Sequence, residues 1–98
     1  MSEASVRIDI WLWRARFMKT RALAAAYVGK GRVRVGDGPQ TRRIEKPSAA
    51  IRPGDTLTFP LRSRIVSLKV MALGERRGPA DEARALYQLV DEEDAPDV

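Results

Sequence analysis

Residues 7–38 read RIDIWLWRARFMKTRALAAAYVGKGRVRVGDG, and the order of signals within them decides the fold. Asp9 stands ahead of Ile10, Trp11, Leu12 and Trp13, where a carboxylate accepts from a free first-turn amide and meets the positive end of a helix dipole. A helix over about residues 10–18 follows. Leu12 and Ala15, with Trp13 and Phe17 at i and i+4, give it apolar stripes and leave Arg14 pointing elsewhere. Thr20 reads as a second N-cap, with Leu23 and Tyr27, and Ala24 and Val28, as the buried face of the helix behind it. Gly29 and Gly31 flank Lys30 and accept the left-handed conformation that ends helices. From there the period changes to two. Val33 and Val35 alternate with Arg32 and Arg34, as in a strand with one buried and one wet face, and residues 36–39 (Gly-Asp-Gly-Pro) supply turn chemistry.

Working outward, residues 41–46 are a polar, basic stretch whose pairing Pro47 limits. Arg52-Pro53-Gly54-Asp55 is a second turn signal, leading into a strand over residues 56–59 with Leu57 and Phe59 facing inward. Residues 65–73 again have strand character. Pro79 opens a last helix, with Asp81 and Glu82 at its positive end and Ala83, Leu86, Tyr87 and Val90 as its apolar side. The expected class is therefore α+β: two short N-terminal helices packed on a small, mainly antiparallel sheet, with a C-terminal helix. Residues 1–6 read as a tail, 7–60 as the main domain and 61–90 as a strand-and-helix extension. The acidic stretch 91–98 has little to bury and is expected to be disordered.

A chain of 98 residues suits one domain with one modest core. Its 18 Lys and Arg against 13 Asp and Glu give +5, unevenly spread. Residues 1–64 carry 14 basic and 5 acidic side chains, a net +9, whereas 65–98 carry 4 and 8, a net −4. The first part attracts polyanions and the second repels them. Within residues 7–38, eight cations and two Asp are interleaved with Leu, Trp, Phe and Val that must be buried. That is the footprint of a folded polyanion-binding surface, not of a disordered basic tail.

No Cys is present, which excludes disulfides, a thiol nucleophile and thiolate metal sites. With no His, the usual general base and the commonest metal ligand are missing too. No catalytic residue, metal or cofactor is expected. No uncharged apolar run approaches the roughly 20 residues of a membrane span, and residues 1–6 show no signal-peptide pattern. The expectation is a soluble cytoplasmic protein with no membrane partner, monomeric when free.

Arg7-Ile8-Asp9, Leu12, Arg16-Phe17, Lys19-Thr20-Arg21, Ala24, Gly31, Val33-Arg34-Val35, Lys46-Pro47-Ser48 and Gly54-Asp55 together resemble the RNA-binding domain named after ribosomal small-subunit protein four. The resemblance covers about residues 7–59 and implies that domain's alpha-L RNA-binding motif. More narrowly, residues 9–13, Arg16-Phe17, residues 19–24, Arg76-Arg77-Gly78-Pro79-Ala80 and Ala85-Leu86-Tyr87 resemble the family of bacterial ribosome-associated heat-shock proteins of fifteen kilodaltons. This implies a non-catalytic protein that recognises structured ribosomal RNA of the large subunit carrying an obstructed nascent chain, with peptidyl transfer RNA as a further partner. Gly36-Asp37-Gly38 stands where the family more often has Asn-Gly, a change that a tight turn tolerates.

The candidate RNA contacts are Arg7, Arg16, Lys19, Thr20, Arg21, Lys30, Arg32, Arg42, Arg43 and Lys46. A planar guanidinium grips a phosphate in two places and stacks on an unpaired base. Thr20 has two uses, since the helix end it caps is itself a phosphate seat. Trp11, Trp13 and Phe17 are expected in the core, with at most one stacking on a base. Asp9 is a cap that tethers Arg7 or Arg16, and Arg76-Arg77 is either a second phosphate contact or a plain loop. The scattered Arg52, Arg62, Arg64, Lys69 and Arg84 read as solvated surface. Two other classes compete. A helix-turn-helix DNA binder would read bases with residues 21–28, but the exposed side of that segment is mostly Ala. An enzyme, either a free-standing hydrolase or a fragment of an RNA-modifying enzyme with this domain as its RNA-binding accessory, would need catalytic groups, and the acids outside the tail are few and scattered.

Overall fold

Ile8, Trp11, Leu12 and Ala15 recur at i, i+3, i+4 and i+7 and are all buried, which makes them the inward stripe of the first helix. The computed structural model describes residues 4–37 and 40–90. Along the chain come β1 (Val6–Arg7), α1 (Ile8–Arg14), α2 (Arg21–Gly29), β2 (Val33–Asp37), β3 (Gln40–Ile44), β4 (Ala50–Ile51), β5 (Thr56–Leu61), β6 (Arg64–Val70), α3 (Ala80–Arg84) and β7 (Tyr87–Leu89). Five strands form one antiparallel sheet in the order β3-β2-β5-β6-β7, while β1 and β4 make a separate two-stranded ribbon. The class is α+β, as the sequence pattern predicts.

The inner face of the sheet carries Val33, Val35, Leu57, Phe59, Leu68 and Val70, every one buried against the stripe of α1 and Ala24 and Val28 of α2. Full burial of a Leu, Ile or Phe is worth about 1.5–3 kcal/mol, so this packing holds the layers together. Trp11 satisfies its indole N–H by donating to the carbonyl of Ala72 at 2.9 Å. Phe17 bridges the layers, its ring lying 5.5 Å from Phe59 and 4.8 Å from Tyr87.

Several elements depart from the sequence expectation. The first helix spans residues 8–14 instead of 10–18, and Asp9 sits buried inside its first turn while Arg7 occupies the cap position. The helix ends because Arg16 adopts a left-handed conformation (φ 69°). The amides of Arg16 and Phe17 then donate back to the carbonyls of Trp13 (3.1 Å) and Leu12 (3.0 Å), a Schellman closure with arginine where glycine is usual. Leu23, expected to be buried, is 53% exposed, because Ala24 and Val28, with Tyr27 beside them, form the side of α2 that faces the core. The polar stretch at 41–46 is largely strand, since β3 pairs with β2 from Gln40 to Ile44. The last helix stops at Arg84, and Tyr87–Leu89 instead pair with β6, whose outer edge would otherwise be unsatisfied. Val6 and Arg7 pair with Ile51 and Ala50, although residues 1–6 read as a tail. Gly38 and Pro39 of the expected turn, and the acidic stretch 91–98, lie outside the described residues.

Candidate nucleic-acid interface

Thr20 caps α2 as its sequence position predicts, its hydroxyl accepting from the Leu23 amide at 3.0 Å. The first turn of α2 holds no acidic residue, and exposed Lys19 and Arg21 flank the cap. The positive end of the dipole therefore has cations beside it and no carboxylate of its own helix to offset them. Trp13, half-buried on α1, lies under Arg21, whose guanidinium carbon is 5.8 Å from the ring centroid. Trp11 is wholly buried, so Trp13 is the tryptophan that reaches the surface.

Asp9 holds Arg7 in a two-point ion pair, with Nε donating at 3.1 Å and Nη2 at 2.9 Å. The same carboxylate accepts from the Ile10 amide at 2.8 Å. The tether thus falls on Arg7 and not on Arg16. The amides of Ile8 and Asp9 donate to the carbonyls of Ala49 and Pro47, which fixes the loop carrying exposed Lys46 against the start of α1.

At the other end of α2, the left-handed Gly31 turns the chain into β2 between exposed Lys30 and Arg32. A Cβ at Gly31 would come within 3.1 Å of the Glu45 carboxylate, so this turn packs against the end of β3. Glu45 also lies 3.5 Å from Arg43, both well exposed, a pairing worth little in water. Arg42 stands opposite Val35, and Arg43 opposite Arg34. On the outer face of the sheet, register then carries one row from Arg43 through Arg34 and Thr58 to Ser67, whose hydroxyl is 3.2 Å from that of Thr58. Arg34 was not among the sequence candidates. Its signal was the Val33-Arg34-Val35 alternation, which placed it on the wet face without saying what it would meet.

Arg16 is exposed, but its Nε donates to the Gly78 carbonyl at 2.7 Å, tying the end of α1 to the segment before α3. Arg14 does not point freely outward: it donates to the carbonyls of Leu73 (3.3 Å) and Gly74 (2.8 Å). Arg77 donates to the Trp13 carbonyl at 3.1 Å, and exposed Arg76 forms a two-point pair with Glu82 that holds its guanidinium pKa above the ordinary value. Arg14, Arg16 and Arg77 fasten the extension to α1, whereas the Arg76 pair lies within the extension. Near β5, the Tyr27 hydroxyl donates to the Pro60 carbonyl; burial raises its pKa and the Arg32 charge partly opposes that rise. Among the described residues no cluster of acidic side chains is arranged to hold a metal ion, and no helix is long and apolar enough to cross a membrane.

Residues 6–57, which include the capped helices, the β2–β3 hairpin and the Gly54 turn, match the S4 domain family. The chain belongs to the S4 domain family. RNA binding is the general activity that membership assigns to it. Over 88 residues this S4 protein is 36% identical to the heat shock protein 15 homolog of Haemophilus influenzae, an alignment covering 90% of this chain and 63% of that one. It is 41% identical to heat shock protein 15 of Escherichia coli over 83 residues, 85% of this chain and 59% of the relative. The chain thus spans about three fifths of the length of these relatives. A third relative, the RQC P-site tRNA stabilizing factor of Bacillus subtilis, is 31% identical over 88 residues, covering 90% of this chain and 95% of that one. In three dimensions the S4 chain is similar to heat shock protein 15 of Vibrio cholerae, solved as a trimer, with a TM-score of 0.80 and 32% identity over 94% of this chain and 88% of the other.

Proposed function

We propose that this S4 protein is a non-catalytic reader of structured ribosomal RNA, acting on the large subunit when a nascent chain is obstructed, close to peptidyl transfer RNA. The observation that carries this reading is the start of α2, where Lys19, Thr20 and Arg21 surround a helix N-terminus with no acid in its first turn. A phosphate there replaces a repulsion with charge-assisted hydrogen bonds. The name of the Bacillus subtilis relative, which specifies a P-site tRNA, supports the ribosomal setting. Arg7, Lys46, Lys30, Arg32, Arg42 and Arg43 extend the interface, with Arg16 at its margin. All of these lie on one chain, so a monomer suffices. The setting is cytoplasmic, where ribosomes work.

The test is cosedimentation of wild type, Arg21→Ala and Arg43→Ala with ribosomes across a range of salt. Each variant should bind more weakly, and the slope of log affinity against log salt should fall by about one for each phosphate no longer gripped. Wild-type behaviour in both variants removes the proposed face. Duplex DNA that displaces ribosomal RNA at equal salt would favour a DNA-binding role instead.

A further inference from the structure

Burial along the inner face of the sheet falls from complete at Phe59 and Leu68 to partial at Leu61 and Val66, so the helical layer stops short of the β5–β6 turn. The uncovered end opens into a cleft of about 450 Å³, within the size range of small-ligand sites. Phe17 and Tyr87 form its aromatic wall, with their centroids 4.8 Å apart, and Leu61, Val66 and the 59% exposed Leu89 add apolar surface. Arg62 and Arg64 line the same cleft, and among the described residues no carboxylate does.

Arg62 adds an independent observation. Leu61 pairs with Arg64, so Arg62 and Ser63 form a two-residue hairpin turn, and Arg62 has a φ of 59°. Glycine is at home in that position, and arginine is held there against a backbone cost. Among the described residues the other non-glycine with positive φ is Arg16, which immediately precedes Phe17 in the aromatic wall. Both strained positions thus border the cleft or its wall.

We propose that this cleft takes one unpaired nucleobase of a single-stranded RNA segment, stacked against Tyr87 and the apolar floor, with the adjoining phosphate on Arg62 and Arg64. The inference rests on the RNA-binding reading above but uses a separate surface, made by β5, β6 and β7. Aromatic and apolar walls accept any base face, while the arginines match the backbone charge. A neutral apolar peptide would fill the cleft and leave both cations without a counter-charge.

The full chain is titrated with a short single-stranded oligouridylate while the methyl resonances of Leu61 and Leu89 are followed. The variant Arg62→Gly/Arg64→Ser removes both cations and relieves the positive φ, so its fold is retained. The wild type should show shifts at both methyl groups. The variant should bind oligouridylate about tenfold more weakly, with a salt slope smaller by about 0.7 for each phosphate it no longer holds. Its ribosome binding, read through Arg21 and Arg43, should fall much less. Equal affinity of variant and wild type for oligouridylate, or no methyl shift in the wild type, overturns the cleft and leaves the α2 face standing. Shifts that arise only with an acidic apolar peptide overturn the nucleobase as occupant. If Arg21→Ala and Arg43→Ala bind ribosomes normally while the cleft variant loses oligouridylate, the earlier reading fails and this one remains.

Discussion

Arg34 and Arg43 stand directly opposite each other across the β2–β3 ladder, both exposed on the outer face of the sheet. Like charges in that relationship weaken a hairpin, and the long, exposed ion pair from Glu45 to Arg43 offsets only part of the repulsion. In the proposed interface a polyanion would turn the same two arginines into a clamp. Arg34→Thr should therefore raise stability by about 0.2–1 kcal/mol while weakening RNA binding. Thermal melts alongside filter binding check this, and a variant that loses stability and keeps its affinity contradicts it.

Arg16 combines a strained backbone with a structural bond. Its φ of 69° carries the left-handed penalty that glycine avoids, and its Nε bond to Gly78 joins the end of α1 to the extension. In Arg16→Gly the relief of strain and the missing bond, each about 1 kcal/mol, should nearly cancel. Arg16→Ala keeps most of the strain, lacks the bond and should be less stable by about 1–2 kcal/mol. Denaturant midpoints separate the two, and equal midpoints for Ala and Gly sink the account. If the Gly variant is stable yet binds RNA poorly, Arg16 touches RNA as well as acting as a tie.

The parts of this fold that local chemistry writes were readable from the chain. The Thr20 cap, the Gly31 stop and the inward Val33 and Val35 each need only near neighbours, and each is where the spacing puts it. What escaped depends on distant partners. Residues 41–46 carry no alternating apolar residues and read as a polar, basic stretch with little pairing, but the backbone of β2 supplies a ladder from Gln40 to Ile44. Leu86, Tyr87 and Val90 have helical spacing, but the free edge of β6 takes Tyr87–Leu89 as a strand. At the site, Thr20 and Arg21 were visible because capping is local. Arg34 was not, since its meaning comes from register against Arg43. Arg14 read as pointing away from the apolar stripes and Arg77 as a phosphate contact or a plain loop, yet both are fasteners to carbonyls some sixty residues away in the chain.

Tyr27 makes stability depend on alkaline pH. Its phenol titrates above the ordinary 10.0, chiefly because of burial, with Arg32 pulling in the opposite direction. Above 10.0 the unfolded chain gives up this proton before the folded one does, so the folded state binds more protons. This contribution is intact below 10.0 and declines as pH rises through the folded pKa. Tyr27→Phe should flatten the decline at the cost of the bond to Pro60, and Arg32→Ala should push the phenol pKa higher still. Urea unfolding at about pH 9 and about pH 11 checks the sign. A decline that is unchanged in Tyr27→Phe rules out this residue as its source.

Gly36 is where the β2–β3 hairpin leaves no room for a side chain. A Cβ there would lie 2.8 Å from Thr41 Cγ2, 2.9 Å from Thr56 Oγ1 and 2.9 Å from the Gln40 carbonyl oxygen. The two threonines can rotate, but the carbonyl belongs to the strand itself and moves only if β3 swings away from β2. Gly36→Ala should therefore cost about 1–3 kcal/mol as overpacking. Adding Thr41→Ser removes one clash and should recover only part of that loss. Because β3 carries Arg42 and Arg43, RNA affinity should fall with it, although no charge has changed. Amide exchange locates the effect: in Gly36→Ala, residues 41–44 should exchange faster while α2 keeps its protection. Uniform acceleration across the chain would mean global destabilisation and would separate the hairpin from the loss of binding.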